Sequence, residues 1–197
     1  GVKMVMHTEV TPAMVAEAKP DAVIVATGSN PLVLPIPGIN DTGVIHAGDL
    51  LDGKASVGKK VLVVGGGMVG CEVADFLGEL GHEVSVIELR DQLGPDVIPE
   101  HRKFLMKDFE AYKVQGVTGA KVAQFFTDGV SYTLADGTEG RLEGFDNVVL
   151  AMGYRNNDTI SEEIKKIVAE TYVIGDAVKA RKALDATAEG LNTALEI

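Results

Sequence analysis

One cysteine, Cys71, stands in the 197 residues of this chain. That scarcity excludes an internal disulfide, a Cys-x-x-Cys redox pair, and a zinc or iron–sulfur site built from cysteines within this stretch. A complete small disulfide reductase is disfavoured for the same reason, and Cys71 is expected to pack against a sheet. Positive charge is also scarce: 18 Lys and Arg face 29 Asp and Glu, a net charge of −11. No basic stripe is present to neutralise phosphates, which excludes a nucleic-acid partner and an anionic membrane surface. No apolar run reaches membrane-spanning length and no signal-peptide pattern opens the chain, so a cytoplasmic location is the default expectation. His7, His46, His82 and His101 are scattered, with no pair at metal-binding helical spacing. No Ser–His–Asp set with a nucleophile elbow is present. Asp91, Asp96 and Asp108 are expected as surface acids. Repeats and low-complexity tracts are absent. The hydrophobic content of 46% is enough for one large domain or one and a half small ones.

Against these absences stands one concentrated signal. The apolar run Val61-Leu62-Val63-Val64 leads straight into Gly65-Gly66-Gly67-Met68-Val69-Gly70, a helical segment and a second apolar run, Val84-Ser85-Val86-Ile87, that ends on Glu88. Strand, Gly-x-Gly-x-x-Gly, helix, strand and acid form the dinucleotide-binding fingerprint. Gly65 permits the tight turn, Gly67 lets a pyrophosphate approach the backbone, and Gly70 lets the helix pack closely on the strand. Met68 and Val69 supply backbone N–H groups at the helix start, while their side chains belong to the core. Glu88 accepts hydrogen bonds from an adenine-ribose diol and repels a 2′-phosphate, so NADH is favoured over NADPH. Arg90, two residues on, is within reach of such a phosphate and works the other way. Glu72 is expected on the first helical turn, where its charge suits the helix dipole.

The rest of the chain alternates between strand and helix. A short strand is expected at Lys3–Met6. Thr11-Pro12 opens a helix running to about Lys19. A buried strand at Asp21–Ala26 ends in Ala26-Thr27-Gly28-Ser29, and a proline-bearing connection follows to Gly43. Helices are expected at 68–80 and 97–112, the second with Phe104, Leu105, Met106 and Phe109 near one side. Turn signals at Thr127-Asp128-Gly129 and Ala135-Asp136-Gly137 mark a meander of strands at 121–126, 130–134 and 139–142. Strands at Asn147–Ala151 and Tyr172–Ile174, a helix at Ser161–Ala169 and a terminal helix at Ala183–Glu196 complete the pattern. The fold class is α/β: a Rossmann-like three-layer sandwich with a parallel sheet, in which the antiparallel β-meander replaces one crossover helix. Thr27, Gly28, Gly153, Gly175 and Asp176 fall at strand ends, where open α/β sheets bind ligands. Asp176 also suits a helix N-cap.

Taken in order, Val25-Ala26-Thr27-Gly28-Ser29, the glycine triad with Glu72 and Glu88, Val149-Leu150-Ala151-Met152-Gly153, and Val173-Ile174-Gly175-Asp176-Ala177 resemble the pyridine nucleotide–disulfide oxidoreductases. The stretch from Gly175 to Ala186 resembles the C-terminal part of NADH:flavin oxidoreductases of the 2,4-dienoyl-CoA reductase and enoate reductase type. The resemblance implies electron flow from NAD(P)H to FAD, then through an iron–sulfur cluster to FMN in a barrel of the same polypeptide. It implies that Thr27, Gly28, Gly175 and Asp176 contact FAD, and that Glu72 and Gly153 lie near the nicotinamide. The family's FAD half normally carries its own glycine triad, and this chain has one triad, in the nicotinamide position. Residues 1–45 are therefore expected to be a remnant of the FAD-binding domain with a linker, 46–153 the NAD(P)-binding domain, and 154–197 a second FAD-domain remnant. Gly1 in place of methionine fits a fragment. FAD is not expected to be retained by the chain alone, and FMN and the cluster are expected only outside it. The expected role is an electron-input domain that accepts NADH; the alternative is a stand-alone NAD-sensing or partner-binding module.

Overall fold

The computed structural model describes residues 1–40 and 42–197. Asp41, inside the expected proline-bearing connection, lies outside the described residues. In chain order the first elements are α1 (Pro12–Ala18), β1 (Ala22–Val25), β2 (Ser29–Pro31), β3 (Ile45–His46) and α2 (Ala47–Leu51). The fingerprint follows as β4 (Lys60–Val64), α3 (Met68–Glu79) and β5 (Glu83–Ile87), then α4 (Pro99–Tyr112) and β6 (Gln115–Val117). Next come β7 (Ala120–Phe126), β8 (Gly129–Leu134), β9 (Glu139–Leu142) and β10 (Asn147–Leu150). The last are β11 (Tyr154–Asn156), α5 (Ser161–Ile164), β12 (Glu170–Val173) and α6 (Ala183–Glu196). Among the described residues, no helix is long and apolar enough to cross a membrane.

The chain divides into two compact units, one of Gly1–Asn30 with Tyr154–Ile197, the other Pro31–Gly153. The second unit is built on a five-stranded sheet ordered β3-β10-β4-β5-β6. Every pairing in it is parallel. Its central strands are apolar on both faces because both faces are covered. Val61 and Val63 face a core shared with Cys71, Val73, Ala74, Leu77 and Phe109 of α3 and α4. Leu62 and Val64 face the other way, into a core with Val148, Leu150, Phe125 and Val130. The antiparallel sheet β7-β8-β9 supplies Phe125 and Val130, so the meander forms the third layer. The sandwich therefore runs helices, parallel sheet, meander.

The first unit holds the parallel pair β1 and β12, with α1 and α5 closing a small core of Val15, Val25, Ile164 and Val168. Thr11 caps α1, its Oγ1 accepting from the Met14 N–H at 3.4 Å, and Lys19 ends the helix in the left-handed region at φ 48°.

Four expectations change. Lys3–Met6 is exposed and forms no strand, because none of the described residues pairs with its backbone. Asp21–Ala26 shortens to β1 and is only partly covered, with Ile24 half-exposed. Phe104 is exposed on α4, and Phe109 carries the burial. The helix expected to reach Ala169 stops at Ile164.

Candidate functional site

The glycine segment joins the end of β4 to the start of α3. Gly65 has φ 105°, in the region that favours glycine, and a Cβ there would lie 2.3 Å from the Ala151 carbonyl oxygen. At Gly70 a Cβ would lie 1.8 Å from the Gly65 carbonyl oxygen, so the first turn of α3 is pressed onto the loop itself. Gly67 differs. Its φ of −73° suits any residue, and a Cβ would meet only the far ends of two side chains, Arg90 Nη2 at 3.0 Å and Asp96 Oδ2 at 3.3 Å. Two of the glycines are thus required by the backbone, and the third is bounded by movable side-chain ends alone. Gly67 is the N-cap of α3 and offers no side chain, so the first N–H groups, including those of Met68 and Val69, lack an intrahelical acceptor.

Glu88 follows the end of β5 and is buried, at 6% exposure. Its Oε2 accepts from the Gly66 N–H, and its Oε1 accepts from the Arg90 N–H at 2.8 Å and Arg90 Nε at 2.9 Å. Burial alone would push this carboxyl up. The hydrogen bonds from Arg90 and Gly66 and the Arg90 charge outweigh burial and hold it below the ordinary carboxylate range. A carboxylate offers about four acceptor positions. The three donors described here occupy three of these positions, one on Oε2 and two on Oε1.

The segment between β5 and α4 lies along the glycine loop. The Gly94 N–H donates to the Gly66 carbonyl at 2.7 Å, and Arg102 Nε donates to the Leu93 carbonyl at 2.7 Å. Asp96, expected as a free surface acid, accepts from the Met68 N–H at 3.1 Å through Oδ1, which also lies 3.8 Å from Arg90 Nη2. Sequence reasoning missed this contact because it spans 28 positions. The one available signal was an acid close behind the fingerprint's second strand. Glu72 is exposed and sits beyond the first turn, since α3 begins at Met68 and that turn ends at Cys71. The helix-dipole role expected for it is weaker for that reason. Cys71 is fully buried; burial first, then the Asp96 charge, pushes its thiol up to about 11. Gly153 has φ 92°, and its carbonyl accepts from the Leu32 N–H at 2.9 Å.

In the first unit Gly28 has φ 75°, and its carbonyl accepts from the Asn157 N–H at 2.9 Å. Thr27 Oγ1 donates to the Asn157 carbonyl. Asp176 is not a cap of α6, which begins at Ala183 with Lys182 at the N-cap position. It sits in a 3-10 turn, Gly175–Ala177, and accepts from Ser29 Oγ at 3.0 Å and the Arg181 N–H at 3.0 Å. The Gly175 N–H donates to Glu189 Oε2 at 2.7 Å, and Arg181 pairs with the other Glu189 oxygen. That anchor on α6 was also missed, because nothing local to Gly175-Asp176 points to Glu189. Thr27 and Gly28 are thus held by Asn157, and Gly175 and Asp176 by Glu189, Arg181 and Ser29, the residue after Gly28. The residues expected to hold the nicotinamide nucleotide, Gly65 to Gly70 with Glu88 and Arg90, are gathered at one end of the second unit's sheet. Among the described residues, no group of three or more His, Cys, Asp and Glu is placed to hold a metal ion.

The fold and its glycine loop define a Rossmann-type dinucleotide-binding protein. Residues 3–189 match the pyridine nucleotide-disulphide oxidoreductase family, and the chain belongs to it. It is similar to a metal reductase of Desulforamulus reducens, at 30% identity over 229 residues, covering 100% of this chain and 34% of that protein. It is similar to an NADH oxidase of Thermoanaerobacter brockii, at 36% identity over 193 residues, covering 93% of this chain and 29% of that protein. Among solved structures it is similar to 2-naphthoyl-CoA reductase in complex with 2-naphthoyl-CoA, with a TM-score of 0.90 and 29% identity, covering 100% of this chain and 30% of that one. The chain thus spans about a third of the length of the relatives it matches. These relatives are oxidoreductases, and this chain aligns with one part of each.

Proposed function

We propose that this chain is the electron-input part of a larger flavin-dependent oxidoreductase of the 2,4-dienoyl-CoA reductase type, and that it binds NADH. The observation that carries the reading is Gly67 at the N-terminus of α3, covered only by the half-exposed side chains of Arg90 and Asp96, with Glu88 at the end of the next strand. In this reading unit Pro31–Gly153 holds the nicotinamide dinucleotide. The pyrophosphate lies against Gly67 and the N–H groups of Met68, Val69 and Gly70, and Glu88 Oε2 takes a ribose hydroxyl. Arg90 is engaged by Glu88 and Asp96 and is not turned toward a 2′-phosphate, which supports NADH over NADPH. Gly153 and Glu72 lie toward the nicotinamide end.

Thr27, Gly28, Gly175 and Asp176 in the other unit hold part of FAD in the complete protein. When bound, the nicotinamide supplies a hydride and the flavin accepts it; the chain's own residues bind, orient and exclude water. Such chemistry needs no protein nucleophile, in keeping with a chain rich in binding motifs. Leu184, Leu191 and Leu195 of α6 are 79%, 63% and 77% exposed, an apolar face that supports covering by a further domain of the same polypeptide.

Gly67→Val tests the loop assignment. A valine side chain fits the backbone but fills the pyrophosphate seat. Binding of NADH and NADPH is expected to fall about 100-fold or more, which is on the order of 3 kcal/mol of lost contact, with the melting temperature nearly unchanged. Equal affinity in the variant removes the loop from the site.

A further inference from the structure

The anion that a helix N-terminus attracts is already present in this protein, and it is a side chain. Asp96 Oδ1 accepts the Met68 N–H at 3.1 Å. Its two oxygens lie 3.3 and 3.5 Å from where a Cβ on Gly67 would stand. Arg90 Nη2 lies 3.0 Å from the same point. Carboxylate and guanidinium therefore cover the one glycine of the triad whose missing side chain is demanded neither by its φ nor by a backbone neighbour. Both side chains are half-exposed, Asp96 at 49% and Arg90 at 46%, so either can leave without opening the core. The segment that carries Asp96 is fixed at Gly94 by its bond to Gly66, which keeps the carboxylate within reach of the seat.

We propose that Asp96 is a resident anion in the pyrophosphate seat and sets the affinity of the site: a dinucleotide binds by displacing it. The inference rests on the nicotinamide site proposed above. In the free protein Asp96 satisfies the Met68 N–H and shares Arg90 with Glu88. On binding, the pyrophosphate takes the Met68 N–H, Asp96 turns to water, and Arg90 stays on Glu88. The exchange replaces one anion by another, so the seat is never left with an unpaired donor, and the free protein avoids collecting stray phosphates. The cost is a fixed reduction in nucleotide affinity. Asp96 was expected to be a solvated surface acid; its place over Gly67 makes it a competitor of the ligand.

The test is the NADH dissociation constant of the natural polypeptide and of Asp96→Asn and Asp91→Asn variants at physiological salt. Asp96→Asn keeps the shape and removes the charge. It is expected to tighten NADH about two- to fivefold, the effect of one charge at a helix terminus. Asp91, exposed on the same segment, serves as the charge control, and its replacement is expected to leave the constant unchanged. An equal gain in both variants means general repulsion and overturns the competition for the seat. An unchanged or weaker NADH affinity in Asp96→Asn overturns the inference while leaving the site intact. Failure of the unaltered protein to bind NADH overturns the site itself and the inference with it.

Discussion

Glu88 shows how a single buried carboxylate serves two ends. Its hydrogen bonds to the Gly66 and Arg90 N–H groups tie the glycine loop to the end of β5, and its proposed second role is to accept from a ligand. Its folded-state pKa is depressed, so the native form binds fewer protons than the unfolded chain. The stabilisation is then fully present above the unfolded value of about 4.3 and is lost as pH falls through the lower folded value. Glu88→Gln is expected to cost about 1–3 kcal/mol at pH 7, the range for charge-assisted hydrogen bonds. The gap to the unaltered protein is expected to narrow as pH falls through the depressed folded value. Denaturant unfolding at neutral pH and across the acid range checks this, and a gap that stays the same throughout would remove the charge from the account. At this scale much of the candidate site's backbone geometry was legible in advance. Gly65, Gly70 and Glu88 sit where the motif demands, because each role follows from local backbone geometry. Asp96 and Glu189 were not legible, since each reaches its N–H partner through tertiary contact rather than along its own segment.

Among the elements, those with a period of their own were readable and those defined by a neighbour were not. Strands β4 and β10 carry unbroken apolar runs, 61–64 and 148–150, and β5 carries one interrupted at Ser85, because helices cover one face and the meander the other. Helix α1 carries both its stop and its start in Thr11-Pro12 and Lys19. By contrast β2, β3, β6 and β11 have two or three residues each and exist only through their pairing. The Lys3–Met6 run has strand composition and no described partner, and it forms no strand. Helix α4 was placed within two residues, yet its buried side was misjudged at Phe104, because four apolar residues in a short span do not say which faces inward. The meander's hold on the sheet passes through Phe125, 1% exposed within the core it shares with Leu62, Val64 and Leu150. Phe125→Ala is expected to destabilise the protein by about 3–5 kcal/mol, the range for a large aromatic removed from a core. Thermal or denaturant unfolding measures it; a loss under 1 kcal/mol would mean that the meander is not structurally coupled to the sheet.

For the molecule as a whole, the architecture was legible and its division less so. Alternation of strand and helix implied the parallel sheet, and the change of period after Val117 implied the meander. Residues 1–45 were expected together, as an FAD-domain remnant with a linker, whereas 31–45 group by packing with the compact unit Pro31–Gly153. Ile36 and Ile39 explain this, since they pack into the core beneath the meander, a burial that a proline-bearing connection does not advertise. Family membership and the relatives' greater length support the proposal that the chain is part of a larger oxidoreductase, where its proposed task is to bind the electron donor. The measurement that tests this most directly is a calorimetric titration of the protein with NADH and with NADPH, alongside Glu88→Ala. The account predicts that both bind, that NADH binds more tightly, and that Glu88→Ala narrows the ratio about tenfold or more, the worth of one charge-assisted hydrogen bond. Binding of neither nucleotide, or a ratio unmoved by the substitution, would contradict it.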